Sequence, residues 1–413
     1  MSTESAACAV ALLRGWKILA GCDGALLSKV RFFHSFSNKG ALLVTSDDTV
    51  FGIGQNGKHN LLGVEGDHFE QEFFQEPVRI ARLCSLGVTE ISVGMWLGAA
   101  VTREGLLYRW GLISDEGDVV LPTQVILDQG ARFTRVSCGA AFLAALTETY
   151  CVYVWGSMNM CSDPVEARLV SGCQLVSSFS CGWWHIAMVT DKGDVYTCGY
   201  GEDGQLGYVW HEHDDIYNAK KADVRPTVKK VSCGSISTLC LSTYGDIWAC
   251  GANDVWQGFL GVDSDDDCVC SPMKIGVSDN IKDIVSTWGA PNTYAAVDDV
   301  GLVFCWGKNR NPVQLDNVSS VFEVGQNGRA SLDLESICFP INHCRSSSIQ
   351  PLALQEESQS ITEAEHDSTK EENGDFVEEY YKESSLVNRN GRKDSKSGSE
   401  NEQEGIERTN DCA

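Results

Sequence analysis

A glycine-ended apolar phrase recurs along residues 30–338, and no other feature restricts the fold as much. It stands at Val50–Gly54, Leu107–Gly111, Tyr153–Gly156, Val195–Gly199, Ile247–Gly251 and Val303–Gly307. A second phrase follows each copy, at Ile91–Gly94, Val136–Gly139, Phe179–Gly182, Val231–Gly234, Val285–Gly289 and Val321–Gly325. Self-similarity at a period of roughly 35–60 residues marks a repeat architecture, in which each unit buries its apolar face against the next. Most of the Gly, Trp and Cys then serve the fold before any site.

Each unit reads as short strands with turn residues between them. Around the clearest copy these are a Lys192–Asp194 turn, a Val195–Cys198 strand, a Gly199–Gly207 loop, a Val228–Cys233 strand and a Leu239–Ser242 strand. Runs of four to six residues bounded by Gly and Asp predict an all-β chain. No helical apolar period of useful length appears, so helices should be few. One strand recurs seven times, at Ala41–Val44, Ala99–Val101, Phe142–Leu146, Ile186–Val189, Leu239–Leu241, Tyr294–Val297 and Ala330–Leu334. Its first copy lacks a full upstream partner, as expected of a ring whose closing blade draws on both chain ends. A closed ring removes exposed sheet edges. The expectation is a β-propeller of seven, or six, blades over 30–338, with 1–29 a lead-in that contributes to closure. Residues 339–413 are rich in Ser, Glu, Asn and Lys, and are expected to form a disordered acidic tail.

Charge and cysteine usage limit the partners. The net charge is −25, of which −9 falls in 341–413 and −16 in the body. An acidic body is a poor ligand for a phosphate backbone, so direct DNA binding is not expected. The dense basic candidates are Lys220, Lys221, Lys229 and Lys230, more simply read as a solvated loop. The 18 cysteines are not spaced as a disulfide framework; Cys138, Cys181 and Cys233 share one repeat position, and Cys198 and Cys250 another. With no secretory signal and no run of ~18 apolar residues, the reading is a cytoplasmic or nuclear chain without membrane insertion.

Several motifs suggest chemistry and yield to simpler readings. Gly52–Gly57 and Gly199–Gly204 both fit G-x-G-x-x-G, but no helix pattern follows to receive a pyrophosphate. Asp263–Asp267 lacks the glycine and the distal glutamate of a calcium loop. Cys268 and Cys270 stand too close for a tetrahedral zinc pair. His211, His213, Asp214 and Asp215 offer metal ligands on an insertion at 208–225, though a polar surface loop is the simpler reading. No nucleophile elbow is present. No cofactor, metal or catalytic residue is therefore assigned.

The phrase Val195–Gly207 (VYTCGYGEDGQLG), with Phe179–Asp194 before it and Val231–Gly234 after it, resembles the repeat of the regulator of chromosome condensation family. Gly204–Gly207 match that repeat's Gly-Gln-Leu-Gly loop, and Gln55–Gly63 and Ala252–Gly261 match it loosely. The resemblance implies a seven-bladed β-propeller. It leaves function open, because members include nucleotide exchange factors, ubiquitin-ligase accessory domains and adaptors. Of the family's histidines after Cys-Gly, His185 is retained.

The functional expectation is a non-enzymatic scaffold that docks a protein partner on one face. Trp96, Trp183, Trp184, His185 and Trp288 lie in or next to the loops that would carry that face, and aromatic side chains anchor interfaces. The alternative is guanine nucleotide exchange on a small Ras-like GTPase, for which the loop acids are Asp203, Asp214, Asp215 and Asp254. A second alternative is a chromatin- or nucleosome-associated regulator whose acidic surface meets histones. Trp110, Trp155, Trp248 and Trp306, beside the strand-ending glycines, are expected to pack between blades.

Overall fold

Alternation of apolar residues with a glycine stop every few positions produces four-stranded antiparallel units, and the computed structural model contains six sheets among the described residues. Those residues are 10, 13–36, 40–66, 71–112, 119–127, 130–159, 165–278, 280–288, 292–308, 310–315 and 330–333. The first sheet holds β1 (Val30–Phe36), β2 (Gly40–Thr45), β3 (Val50–Gln55) and β4 (Phe73–Arg79). The second holds β5 (Val88–Val93), β6 (Leu97–Thr102), β7 (Leu107–Leu112) and β8 (Val119–Val125). The third holds β9 (Phe133–Cys138), β10 (Ala141–Thr147), β11 (Val152–Ser157) and β12 (Val165–Leu169). The fourth holds β13 (Val176–Cys181), β14 (His185–Thr190), β15 (Val195–Gly199) and β16 (Lys220–Lys221). The fifth holds β17 (Val228–Cys233), β18 (Ser237–Ser242), β19 (Ile247–Ala252) and β20 (Cys268–Lys274). The sixth holds β21 (Ile281–Ser286), β22 (Tyr294–Asp298), β23 (Val303–Trp306) and β24 (Val313–Leu315).

The chain is a β-propeller, and the last of its described strands returns to the first sheet. The last strand, β25 (Ala330–Asp333), pairs antiparallel with β1, from Phe32↔Asp333 to Ser35↔Ala330. The seventh copy of the recurring strand therefore joins the first sheet, as expected of closure by both chain ends, but the first copy does not lack an upstream partner, since β1 pairs along it from Val30↔Thr45 to Phe36↔Gly40. The phrase at 321–325 and the tail at 339–413 lie outside the described residues. Of the lead-in, the described part includes a 3-10 turn (Lys17–Leu19) and a short helix, α1 (Gly24–Leu27). Leu13, Trp16, Leu19 and Leu27 pack with Phe33, Leu43 and Ile53 in one buried cluster.

Successive sheets are joined by a repeated hydrogen-bond rung between their first strands. Ser92 Oγ accepts from the Cys138 N–H at 2.9 Å, and the Cys138 thiol donates back to the Ser92 carbonyl at 3.1 Å. Ser137 and Cys181 repeat this at 3.2 and 3.5 Å, and Ser180 and Cys233 at 3.0 and 3.3 Å. Ser232 and Ser286 do the same with two hydroxyls, at 2.8 and 3.1 Å. The first junction substitutes His34, whose Nε2 accepts from the Val93 N–H at 3.0 Å. The Ser-Cys of the second phrase is thus a two-way clasp. Each amide it satisfies would otherwise be a costly unpaired donor.

The glycine after the clasp is needed for close approach. A Cβ at Gly94 would sit 2.0 Å from the Gly139 carbonyl oxygen. A second lock joins a third-strand loop to the next sheet at three junctions. Trp110 Nε1 donates to the Leu61 carbonyl at 2.8 Å, and Trp306 Nε1 to the Leu260 carbonyl at 2.9 Å. Between the fourth and fifth sheets, Thr238 Oγ1 (2.8 Å) and Cys250 Sγ (3.6 Å) donate to the Gln205 carbonyl instead. Trp110, Trp155 and Trp306 are buried between sheets, and Trp248 is half-buried.

Removing one clasp tests this account. Ser180→Ala leaves the Cys233 amide without its acceptor and should cost about 1–3 kcal/mol. A lowered urea midpoint with an unchanged slope is the expected result, and a midpoint equal to the wild type contradicts it.

Candidate functional site

Antiparallel order brings the loops after first strands and the loops after third strands to the same end of every sheet. This end is the candidate face. Its innermost loops form a chain of backbone hydrogen bonds from sheet to sheet. The Trp96 N–H donates to the Ala140 carbonyl (3.1 Å), Ala140 N–H to Trp183 (2.9 Å), and Trp183 N–H to Ser235 (2.8 Å). The Ser235 N–H continues the series to Asn292 Oδ1 at 3.3 Å. Loops fixed in this way present side chains at low entropic cost.

The five aromatic positions expected on this face divide by burial. Trp183 and Trp184 lie inside, at 5% and 2% exposure, and His185 is fully buried. Trp96 and Trp288 are half-buried. Trp96 meets the edge of Trp184 at 6.1 Å and His59 at 6.2 Å. Ala140 of the third sheet, a small residue, bridges the loops that carry Trp96 and Trp183. His185 Nε2 shares a hydrogen bond with Thr238 Oγ1 at 3.0 Å. Burial lowers the His185 pKa to about 3, so the ring is neutral at physiological pH and does not act as an acid–base group there.

The four acids expected for exchange chemistry also divide. Asp214 pairs with Lys220 at 2.7 Å, and Asp215 with Arg168 at 3.0 Å. The Lys220 contact holds the Asp214 carboxyl below its ordinary range. Asp203 behaves in the opposite way. Burial, followed by the charges of Glu202 and Asp254, raises its pKa to about 6. Asp203 and Asp254 thus belong to one acidic region of the face, on the third-strand loops of the fourth and fifth sheets.

The remaining motifs resolve as structure. Lys221 and Lys230 are paired with Asp194 and Asp283, and Lys229 Nζ donates to the Ile281 carbonyl. Within Asp263–Asp267, Asp265 pairs with Arg310 and Asp266 accepts from Ser264. Among the described residues no group of three or more His, Cys, Asp or Glu side chains is arranged to hold a metal ion. Likewise no helix among them is long and apolar enough to cross a membrane.

Sequence reasoning passed over the most exposed aromatic of the face. Trp256 is 68% exposed, and Val255 beside it is 63% exposed. Asp254 Oδ1 accepts from the Trp256 and Gln257 N–H groups, both at 2.7 Å, and fixes this tip. Val209 is a further exposed apolar residue on the corresponding loop of the fourth sheet. A signal was present: Asp-Val-Trp occupies a loop position where the Gln55–Gly63 and Gly199–Gly207 copies carry no tryptophan.

Comparison with known proteins agrees with this architecture. The family model described as "Regulator of chromosome condensation (RCC1) repeat" matches residues 176–205, from β13 to the start of the Gly-Gln-Leu-Gly loop. The chain is 29% identical over 251 residues to the Ultraviolet-B receptor UVR8 of Arabidopsis thaliana, covering 57% of this chain and 56% of that protein. It is 27% identical over 303 residues to Protein pim1 of Schizosaccharomyces pombe, covering 63% of this chain and 54% of that protein. The chain therefore spans about half the length of these two relatives. The crystal structure of Prp20p from Saccharomyces cerevisiae superposes with a TM-score of 0.56 at 18% identity, covering 70% of this chain and 77% of that one. Human WBSCR16 gives 0.54 at 19%, covering 67% and 80%. The chain thus contains one stretch that matches this repeat model and shares the fold of these solved propellers.

The raised carboxyl of Asp203 predicts a pH effect with a definite sign. A folded pKa of about 6 lies above the ordinary aspartate value of 3.8, so the folded state holds this proton more tightly than the unfolded chain. Its contribution to stability therefore falls as pH rises from about 4 to about 6 and stays low above that. Asp203→Asn should melt higher than the wild type at pH 7 and match it more closely at pH 4. Equal melting shifts at both pH values contradict the assignment.

Proposed function

We propose that this chain is a non-enzymatic docking propeller that holds a protein partner on the face where the first-strand and third-strand loops emerge. The observation that carries the reading is the Val255–Trp256 tip, a large apolar surface held in solvent by the Asp254 turn. An exposed aromatic on a fixed loop has already lost the entropy that binding would otherwise remove. Trp96 and Trp288 extend the surface, while Trp183, Trp184 and His185 form the packed floor that orients it. Glu202, Asp203 and Asp254 lie in the same region, so the preferred partner presents basic side chains around an apolar contact. The free thiols of the described cysteines suit a reducing compartment, the cytoplasm or the nucleus.

Two measurements test this. Partners captured by the wild-type chain should be lost with Trp256→Ala, whose melting temperature should stay the same because the side chain is exposed. Their retention should weaken as salt rises, since acidic groups contribute to it. An identical partner set for Trp256→Ala removes this tip from the proposal.

A second reading is guanine nucleotide exchange on a small GTPase, and one observation favours it. Asp203 and Asp254 form an acidic region on the face, whereas Asp214 and Asp215 are engaged by cations. The solved structure of Prp20p is described with its binding to Gsp1p and histones. That description concerns Prp20p, and also keeps a histone-like basic partner in view for this chain. Exchange requires faster release of labelled GDP from Ran-, Rab- or Arf-type GTPases, with the effect lost in Asp203→Asn. Unchanged release at micromolar protein rejects it.

A further inference from the structure

Cys268 and Cys270 open β20, the outermost strand of the fifth sheet. Residues two apart on a strand share a face, and the two sulfurs lie 3.6 Å from each other. Cys270 is exposed and Cys268 half-buried, so the pair is open to solvent on one side. The strand is irregular at this point. Gly251 pairs with Val269 and Ala249 with Met273, so a short stretch of β19 faces a longer bulged stretch of β20 that contains Cys270. A bulge frees backbone from the ladder and gives the pair slack. Cys268 also touches the third-strand loop of the fourth sheet: a Cβ at Gly204 would lie 3.0 Å from its Sγ.

These features separate three kinds of chemistry. Burial, with Cys270 and the carboxylates Asp203 and Asp266 close by, pushes the Cys268 thiol up to about 12. A soft cation that binds only thiolates works against that preference. Disulfide formation also starts from a thiolate, and it would need the sulfurs to close from 3.6 Å to about 2 Å. A trivalent arsenic centre requires neither. It joins two protonated thiols at close to their existing separation, with one atom as the bridge.

We infer that Cys268 and Cys270 form a vicinal dithiol site for trivalent arsenicals, at the border between the fourth and fifth sheets. With an arsenoxide, two S–H bonds and the arsenic–oxygen bond break, and two As–S bonds form. Both protons leave on the oxide oxygen as water. Arsenic remains trivalent, so no oxidant or reductant enters. The adduct lies against Gly204, next to Asp203 on the candidate docking face, and its formation does not depend on which partner that face holds.

Phenylarsine oxide tests the site on the full, reduced chain by intact-mass spectrometry under native conditions. One bridging adduct per chain is expected, stable to excess monothiol and released by a small dithiol. Cys268→Ser and Cys270→Ser should each abolish it, while Cys151→Ser should retain it. Cys270 is exposed, so Cys270→Ser should keep the wild-type urea midpoint and show that loss of the adduct is not loss of fold. An adduct that survives in either of the first two variants overturns the inference. So does a wild-type chain that takes up none, or one in which air alone links the two sulfurs in a disulfide.

Discussion

The clasp between first strands is the interaction on which the rest of this structure depends. Sheets in a propeller share no ladder hydrogen bonds with one another, so apolar packing alone would leave their relative rotation loosely set. The serine of the second phrase supplies a directional contact. Its Oγ takes the next sheet's amide, and the cysteine of that sheet returns a thiol to the serine's carbonyl. At the sixth sheet, Val285 stands where the earlier copies carry the accepting serine. The last described strand, β25, instead pairs with β1 in the first sheet.

A second layer of contacts carries this order outward to the face. The Trp110 and Trp306 indoles and the Thr238 hydroxyl each hold a loop of the preceding sheet by a backbone carbonyl. The Gly-Gln-Leu-Gly loop is therefore a fixture between sheets rather than a ligand cradle. The same loop brings Glu202 and Asp203 to the face. Its neighbour on the fifth sheet brings Asp254 and Trp256. Fold and candidate function thus meet in the same few residues: what holds the sheets in register also positions the acidic and aromatic groups.

Much of the fold was legible because its signals are local. A strand that ends at glycine, or a turn at Lys192–Asp194, follows from backbone preference and alternation alone. The seven copies of the recurring strand hinted at the return of the last one, but the supposed lack of an upstream partner for Ala41–Val44 was a misreading, because β1 pairs along that strand. The site was less so. Trp96 and Trp183–Trp184 occupy equivalent loops, yet their exposure differs, because it depends on which side chains the adjacent sheets bring against them. His185 falls at a position the family marks with histidine, but its full burial follows from three-dimensional packing. Asp203 and Asp254 are about fifty residues apart in sequence, and their proximity follows from the stacking of the fourth and fifth sheets. Trp256 was visible as an odd residue in its repeat copy, but only the geometry distinguishes a projecting side chain from a packed one.

Native-state hydrogen exchange measures the clasp most directly. The account predicts that the amides of Cys138, Cys181, Cys233 and Ser286 exchange only through global unfolding, with one shared free energy equal to that of denaturant unfolding. Exchange of these four amides through separate, low-energy openings, while the strand ladders within each sheet stay protected, would contradict it.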